Sequence, residues 1–403
     1  MSANTSDKTL GEQAKRPMDT NSGEQAKRPI NKKSPRVIVC AGGGGVGKTT
    51  TSAALGMALA RSGQRTMLVT IDPARRLADA LQVPLGSTLH TIELGQDSGG
   101  YLDALMPEPE SASRAFMADL FAEQPDGLER LQQNKLFMAL EDKLAGMAEL
   151  VAMGLLMRAV EAKPYDFVVI DTAPSRFALD FLTYPARLSQ LIEGRALRWL
   201  AGMVLRLDEE QPQAEQQLGL TGWGRRKVEG IVAHVIGASL LKDTAHLFAE
   251  FFRIRKRFAR ITARLGELLL GPKSDYVVVA APTGAAEADA AYIFTRLEDI
   301  RVQARGLLLN RASMPEAEWE ALSKEGPEVL RRAASRLGEE KRLREAAAQL
   351  MIGRLRREHR ELSIITLPKL EAIEPRQIVS RLAEVLSPQL ETLLGPLTEA
   401  AAE

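Results

Sequence analysis

The sequence predicts an α/β fold with a doubly wound, mostly parallel sheet and an inserted helical subdomain. Short apolar runs, nearly continuous and several of them rich in Val or Ile, alternate with helical stretches at 36–40, 66–71, 166–171, 276–281, 306–309 and 362–367. Runs of this kind are typical of strands covered by helices on both faces. Two longer stretches, at about 101–164 and 186–274, interrupt the alternation and have a helical pattern, so we expect helical insertions there.

Composition limits what the chain can be. A hydrophobic content of 45% is ample for a core, and a net charge of +1 favours neither nucleic acid nor a membrane surface as partner. The single cysteine, Cys40, excludes a disulfide framework within the chain and a site built from several thiolates. We expect it to be buried at a strand end. With neither a secretory signal nor a bilayer-length apolar run, we expect a cytoplasmic protein.

The chain divides into one large domain and two tails. Residues 1–35 are polar, repeat the segment GEQAKRP at 11–17 and 23–29, and are expected to form a disordered tail. The domain then covers 36–398, with a short tail at 399–403. Within the second insertion, a Gln-rich stretch at 207–227 is expected to be a loop, whereas apolar residues spaced by four and three along 247–268 form one seam of a helix. We expect that seam, and the methionines of 138–157, to pack internally, and the basic face of 253–264 to face solvent.

A phosphate-binding motif follows the first predicted strand. Residues 37–51 read VIVCAGGGGVGKTTT, which matches G-x-x-x-x-G-K-[ST] between a strand and a helix. Glycines let the backbone curl around phosphates with its N–H groups inward, and the helix N-terminus adds positive potential. Lys48 is expected to reach the β- and γ-phosphates and Thr49 to ligate Mg²⁺. The predicted nucleotide-binding residues of the loop are Gly42, Gly43, Gly44, Gly45, Val46, Gly47, Lys48, Thr49 and Thr50.

Two carboxylates end other predicted strands. Asp171 closes the run in DFVVIDTAP, as expected of a Walker B carboxylate that binds Mg²⁺, in this case through water. Asp72 closes MLVTID and therefore reaches the same edge of the sheet as the phosphate loop. A strand-terminal aspartate can also cap a helix. We prefer a catalytic role for Asp72, in which it positions the attacking water. Lys48, whose charge binds the phosphates, is the second predicted catalytic residue.

These segments together resemble the ArsA/Get branch of the deviant-Walker P-loop ATPases. Within that branch, the chain looks like a bacterial ArsA-like ATPase. DPARRLADAL at 72–81 is similar to its switch I, and DTAPSRFALDFL at 171–182 is similar to its switch II. Asn310 in LLLNR and Pro368 in ITLPKL match two segments that surround the base. The resemblance covers most of 35–386 and is weak across the helical insertions.

The resemblance implies ATP and Mg²⁺ as cofactors and assigns roles to the matching residues. Asp72 would orient the attacking water, Asp171 would serve Mg²⁺, Asn310 would read adenine, and Pro368 would lie beside the base. The branch contains the arsenite-pump ATPase and the ATPase that targets tail-anchored membrane proteins. Its members are dimers that close around two nucleotides and reshape a helical groove.

Four departures from this pattern matter. The branch carries a signature lysine five residues before the loop lysine, where this chain has Gly43. The Gly-His of switch II is Arg176-Phe177, and a Glu that often follows the strand-ending Pro is Thr283. A zinc-binding cysteine pair has no counterpart, since Cys40 is alone.

The leading hypothesis is a dimeric switch ATPase that couples nucleotide state to a helical, partner-binding subdomain. Its partner would be a hydrophobic protein client or a membrane protein, with no nucleic acid involved, and the dimer would contain two copies of the chain or one copy and a paralogue. One alternative is the energising subunit of an anion (arsenite-like) efflux pump, which the missing cysteines disfavour. Another is a weakly hydrolysing regulatory subunit of a heterodimer, which Gly43 favours.

Overall fold

The computed structural model describes residues 34–72, 74–95, 98–138, 148–173, 238–314, 327–370 and 374–397, which lie in one unit, Ser34–Glu403. Several expectations fall outside these ranges. They are the disordered tail, apart from its last two residues, the tail at 399–403, the loop at 207–227, and Arg176-Phe177 of the predicted switch II.

The described strands form one eight-stranded sheet in the order β3-β4-β2-β5-β1-β6-β7-β8. All neighbouring pairs are parallel except β3 with β4, which confirms the mostly parallel sheet. The strands are β1 Arg36–Gly42, β2 Arg65–Thr70, β3 His90–Ile92, β4 Tyr101–Leu105, β5 Phe167–Asp171, β6 Ser274–Ala280, β7 Ala304–Ser313 and β8 Ser363–Pro368.

Helices cover both faces of the sheet. Along β1, Val37 and Val39 enter one hydrophobic core, and the alternating residues Ile38 and Cys40 enter another. The first core contains α6, α7 and α8, and the second contains α1 and α9, so the sheet is doubly wound as predicted. The described helices are α1 Lys48–Arg61, α2 Arg76–Leu81, α3 Pro109–Leu120, α4 Pro125–Gln132, α5 Ala148–Ala162, α6 Ala238–Leu270, α7 Gly284–Asp299, α8 Glu328–Glu358, α9 Pro375–Leu386 and α10 Leu390–Leu394.

The predicted start of the first insertion is wrong. We expected helix from residue 101, but Tyr101–Leu105 is strand β4, paired with β2 and with the unpredicted β3. The charged Asp103 in the middle of the segment YLDAL interrupts the apolar pattern by which a strand is predicted from sequence. In the fold, Asp103 is 1% exposed, and its carboxylate accepts hydrogen bonds from Lys163 (2.5 Å), Tyr165 (2.9 Å) and Thr91 (2.7 Å). The strand is therefore stable because three distant residues satisfy this buried charge.

The apolar seam of 247–268 packs internally, as expected. Leu247, Ile254, Phe258 and Leu265 are buried on α6 in the same core as α3 and α5, and the intervening apolar residues pack against it. Met153 is also buried in this core, whereas Met138 is 58% exposed. The packing expectation therefore holds for the described part of the seam, with one methionine left on the surface.

The arginines of α6 bind acidic side chains of neighbouring helices instead of only facing water. Arg257 donates to Asp119 (2.7 Å) and Glu123 (3.0 Å), Arg260 donates to Glu123 (3.0 Å), and Arg264 donates to Glu161 (3.0 Å). These pairs attach α6 to α3, to the turn that follows it and to α5, and they neutralise much of the basic face.

Within the described ranges, none of the helices combines the length and the apolar composition that crossing a bilayer requires.

Candidate functional site

The phosphate loop connects β1 to α1 at the carboxyl edge of the sheet. Its turn is at 44–46, and Gly45 and Gly47 have φ values of 75° and 85°, a region that favours glycine. A Cβ on Gly47 would lie 2.3 Å from Nδ2 of Asn310, and one on Gly42 would lie 2.4 Å from the carbonyl oxygen of Val279. The loop therefore has the strand–loop–helix setting and the glycine requirement that the motif predicts. Thr50 lies in the first turn of α1.

Asp171 is the centre of a buried polar cluster. Its carboxylate is fully buried and accepts hydrogen bonds from the hydroxyls of Thr49 (2.8 Å), Thr70 (3.2 Å) and Ser52 (3.3 Å). Burial raises the pKa of Asp171, while the nearby Lys48 ammonium and these hydroxyl donors oppose the rise. β5 places the residue here because Asp171 is in register with Cys40 of β1 and Thr70 of β2.

The ammonium of Lys48 belongs to the same cluster. Its Nζ donates to the backbone carbonyl of Thr172 and lies 3.8 Å from Oδ1 of Asp171. The side chain is 3% exposed, so a cation is held in a water-poor position at the start of α1. A charge in such a position interacts strongly with an anion, because solvent screens it little.

This cluster fits Mg²⁺ and a triphosphate. Mg²⁺ prefers hard oxygen ligands and keeps several waters. The hydroxyl of Thr49 offers such a ligand, and the carboxylate of Asp171, 2.8 Å from it, can accept hydrogen bonds from a water on the ion. The first N–H groups of α1 have no partner within their own helix, as anion sites at helix N-termini require. The structure thus brings together residues predicted from two separate motifs: Lys48 and Thr49 of the phosphate loop, and the strand-ending Asp171.

Asp72 lies two residues beyond β2 and is 7% exposed. Its backbone N–H donates to the hydroxyl of Thr70 (3.2 Å), the same hydroxyl that donates to Asp171. Its Oδ1 accepts from the N–H of Ala74 (3.1 Å) and its Oδ2 accepts from Arg76 (2.9 Å) on the first turn of α2. The backbone of Asp72 is therefore linked through Thr70 to the Asp171 cluster, and its carboxylate stabilises the turn into α2.

Asn310, near the end of β7, contacts the phosphate loop directly. Its Nδ2 donates to the carbonyl of Val46 (2.8 Å), and its Oδ1 accepts from the N–H of Arg311 (3.0 Å). Pro368 ends β8 and pairs with Ser313, beyond a register irregularity in β7. Both residues lie at the edge where ligands of such sheets bind, and their contacts with adenine stay predictions.

Two residues at this edge carry no sequence signal. Asp289 of α7 lies against the loop, since a Cβ on Gly43 would meet its Oδ2 at 2.3 Å. Arg311 has a left-handed φ of 56° inside a strand, and its Nη1 lies 3.4 Å from the carbonyl oxygen of Gly45.

Thr283, at the position of the family's Glu, is the N-cap of α7, and its side chain accepts from the N–H of Ala286 (3.3 Å).

Part of this sequence is similar to known proteins. Residues 35–217 match the sequence model of the family described as "Anion-transporting ATPase". The chain is 32% identical over 168 residues to "ATPase get3" of Aspergillus terreus, an overlap that covers 40% of this chain and 48% of the relative. It is 31% identical over 170 residues to "ATPase get3" of Aspergillus niger, with 40% and 48% covered. The matched part thus spans about half the length of these curated relatives.

Proposed function

Because residues 35–217 belong to the ArsA/Get-type ATPase family, we propose that this chain binds Mg·ATP at the loop 42–50 and hydrolyses it. The observation that carries the proposal is the buried cluster of Lys48, Thr49 and Asp171 at the carboxyl edge of the sheet. An ammonium, a hydroxyl and a carboxylate in one desolvated position are the groups that a triphosphate and its divalent cation require.

Each residue has a defined task in this proposal. Lys48 releases the carbonyl of Thr172 and binds the phosphate oxygens, while the N–H groups of the loop surround them. Thr49 would hold Mg²⁺ directly and Asp171 would hold it through water, and the ion would supply positive charge to the phosphates. Asp72 orients a water once Arg76 moves from its Oδ2, and the N–H of Ala74 continues to fix the other oxygen.

The proposal is tested with the full chain. Calorimetric titration with ATP should show binding that strengthens with Mg²⁺, and phosphate release should require both. The absence of ATP binding at millimolar concentration would refute the proposed function. Binding without phosphate release would support the regulatory-subunit alternative.

We further propose that nucleotide state changes the helical subdomain and its contact with a partner. The subdomain is continuous with the site, because α6 leads into β6 and β6 pairs with β1, the strand that precedes the phosphate loop. The junction between α6 and β6 is fixed by a hydrogen bond from Tyr276 Oη to the carbonyl of Leu269 (2.6 Å). The partner is a hydrophobic protein segment or a membrane protein, and a second ATPase subunit completes the dimer. The described apolar seam of α6 is buried, so a client would bind another surface or a rearranged subdomain.

Gly43 leads to a prediction about the second subunit. We expect the chain alone to hydrolyse ATP slowly, because glycine offers a neighbouring subunit no cation. Gly43→Lys combined with Asp289→Ala should raise the rate about tenfold, because a cation supplied across an interface accelerates phosphoryl transfer. The second substitution is needed because the carboxylate of Asp289 would lie 2.3 Å from the new Cβ. The measurement is phosphate release against protein concentration, with Asp289→Ala alone as control.

The opposite result has a clear meaning. Suppose that the chain alone hydrolyses ATP rapidly, that the lysine adds nothing, and that Arg75→Ala, Arg76→Ala and Arg176→Ala leave the rate unchanged. These three arginines belong to the segments that resemble switch I and switch II, and they are the candidates to replace the missing lysine. Neither such an arginine nor a lysine from a paralogous subunit would then be needed.

Cys40 leads to a prediction about arsenite. It is fully buried, and burial raises the pKa of its thiol to about 12. The reactive thiolate is therefore scarce and shielded. We expect a thiol reagent to modify Cys40 only after denaturation, and arsenite to leave ATP hydrolysis unchanged in the wild type and in Cys40→Ser. Stimulation by arsenite that disappears in Cys40→Ser would instead support the efflux-pump alternative.

A further inference from the structure

Asp72 is held by donors on both of its carboxylate oxygens. Oδ1 accepts from the N–H of Ala74 (3.1 Å), and Oδ2 accepts from Nη1 of Arg76 (2.9 Å). The backbone N–H of Asp72 in turn donates to the hydroxyl of Thr70 (3.2 Å). The carboxylate is only 7% exposed, so both oxygens are engaged within the turn that joins β2 to α2.

The two restraints on this carboxylate differ in how easily they are released. The N–H of Ala74 is a backbone group, so its hydrogen bond is lost only if the turn itself is remodelled. Arg76 is the first residue of α2, four residues after Asp72, and its side chain is 55% exposed. An exposed ion pair is weak, because water solvates the separated guanidinium well. Oδ2 is therefore the oxygen that can exchange a protein donor for a water.

We propose that Arg76 is a positioning residue that holds Asp72 in a resting arrangement and thereby limits ATP hydrolysis. The inference rests on the proposed function, in which Asp72 orients the attacking water. The guanidinium of Arg76 competes with that water for Oδ2, so the ion pair must open before the water is aligned. Because the pair is exposed, opening it costs little, and Arg76 slows hydrolysis without abolishing it.

Removing the guanidinium should make this chain a faster ATPase. We expect Arg76→Ala to raise phosphate release at saturating Mg·ATP about two- to fivefold, since fivefold corresponds to about 1 kcal/mol, the upper end for an exposed ion pair. Mg·ATP affinity, measured by calorimetry, should stay within about twofold of the wild type, because the loop 42–50 is unchanged. Arg76→Lys keeps a cation at the same spacing and should hydrolyse ATP close to the wild-type rate.

Two controls connect the effect to Asp72. In the Asp72→Asn background, Arg76→Ala should no longer raise the rate, because the amide carries no charge with which to align the released water. Arg332→Ala breaks another exposed pair of the same spacing, with Glu328 on α8, and should hydrolyse ATP at the wild-type rate.

Three results would overturn the inference: an unchanged or lower rate in Arg76→Ala, the same rise in Arg332→Ala, or a rise that persists with Asp72→Asn. A lower rate would instead make Arg76 a cation that assists phosphoryl transfer. If neither the wild type nor Arg76→Ala bound ATP, the proposed function itself would fail and the inference with it.

Discussion

Replacing Asp72 by asparagine is expected to leave Mg·ATP affinity unchanged and to lower the rate of hydrolysis by about 10²- to 10⁴-fold, the usual contribution of a positioned general base. The amide keeps the shape of the side chain and can still accept the N–H of Ala74. It carries no charge with which to align a water or to accept its proton. The reacting water would then lose its orienting group, while the phosphate loop would be unaffected.

The Asp72→Asn variant has a second, smaller effect that must be measured separately. Asp72 is also a structural residue, because its Oδ2 accepts from Arg76. The Arg76 side chain is 55% exposed, so this ion pair stabilises the fold by only about 0–1 kcal/mol. Thermal unfolding of the variant should therefore shift by a few degrees at most. A loss of activity without a large loss of stability is the signature of the catalytic role.

Asp79 provides the matched control for Asp72. It is an exposed carboxylate on the same short helix α2, so Asp79→Asn makes the same chemical change away from the cluster. This control should hydrolyse ATP at the wild-type rate. If Asp72→Asn also retained the wild-type rate, Asp72 would be a stabilising residue of the turn into α2 and nothing more.

The part of the site that the sequence predicted depends on short-range signals. The loop motif places Lys48 and Thr49 by their spacing alone, and Asp171 ends an apolar run that can only be a covered strand. All six predicted strands are present, within a few residues of their expected bounds. Because the carboxyl ends of parallel strands meet at one edge, these predictions together place Lys48, Thr49 and Asp171 side by side.

The part that was missed depends on contacts between distant segments. Strand β4 contains Asp103, and only Lys163, Tyr165 and Thr91 make that residue compatible with a strand. No local pattern indicates which residues will meet it. The same holds for Asp289, which reaches Gly43 because α7 follows β6 at the centre of the sheet. Backbone conformation is equally hidden, since nothing in LLLNR distinguishes a left-handed arginine from an ordinary one.

Replacing Lys48 by alanine is expected to weaken Mg·ATP binding about 10- to 100-fold. A charge-assisted hydrogen bond contributes about 1.5–3 kcal/mol, and a factor of ten in affinity corresponds to about 1.4 kcal/mol. Lys48 is 3% exposed, so water cannot replace the lost ammonium without opening the cluster. The measurement is a calorimetric titration with ATP at saturating Mg²⁺.

The variant also changes the protein without its ligand, and this must be kept apart from the binding result. Lys48 lies 3.8 Å from Asp171 and opposes the rise in the pKa of that buried carboxyl. Without the ammonium the pKa of Asp171 should rise further, which would weaken Mg²⁺ binding as well. Titration with ATP in the absence of Mg²⁺ isolates the direct contact of Lys48 with phosphate. Lys273→Ala, at the amino-terminal edge of β6, makes the same substitution far from the cluster and should bind ATP as the wild type does. Wild-type affinity in Lys48→Ala, with and without Mg²⁺, would show that the loop 42–50 is not the phosphate site.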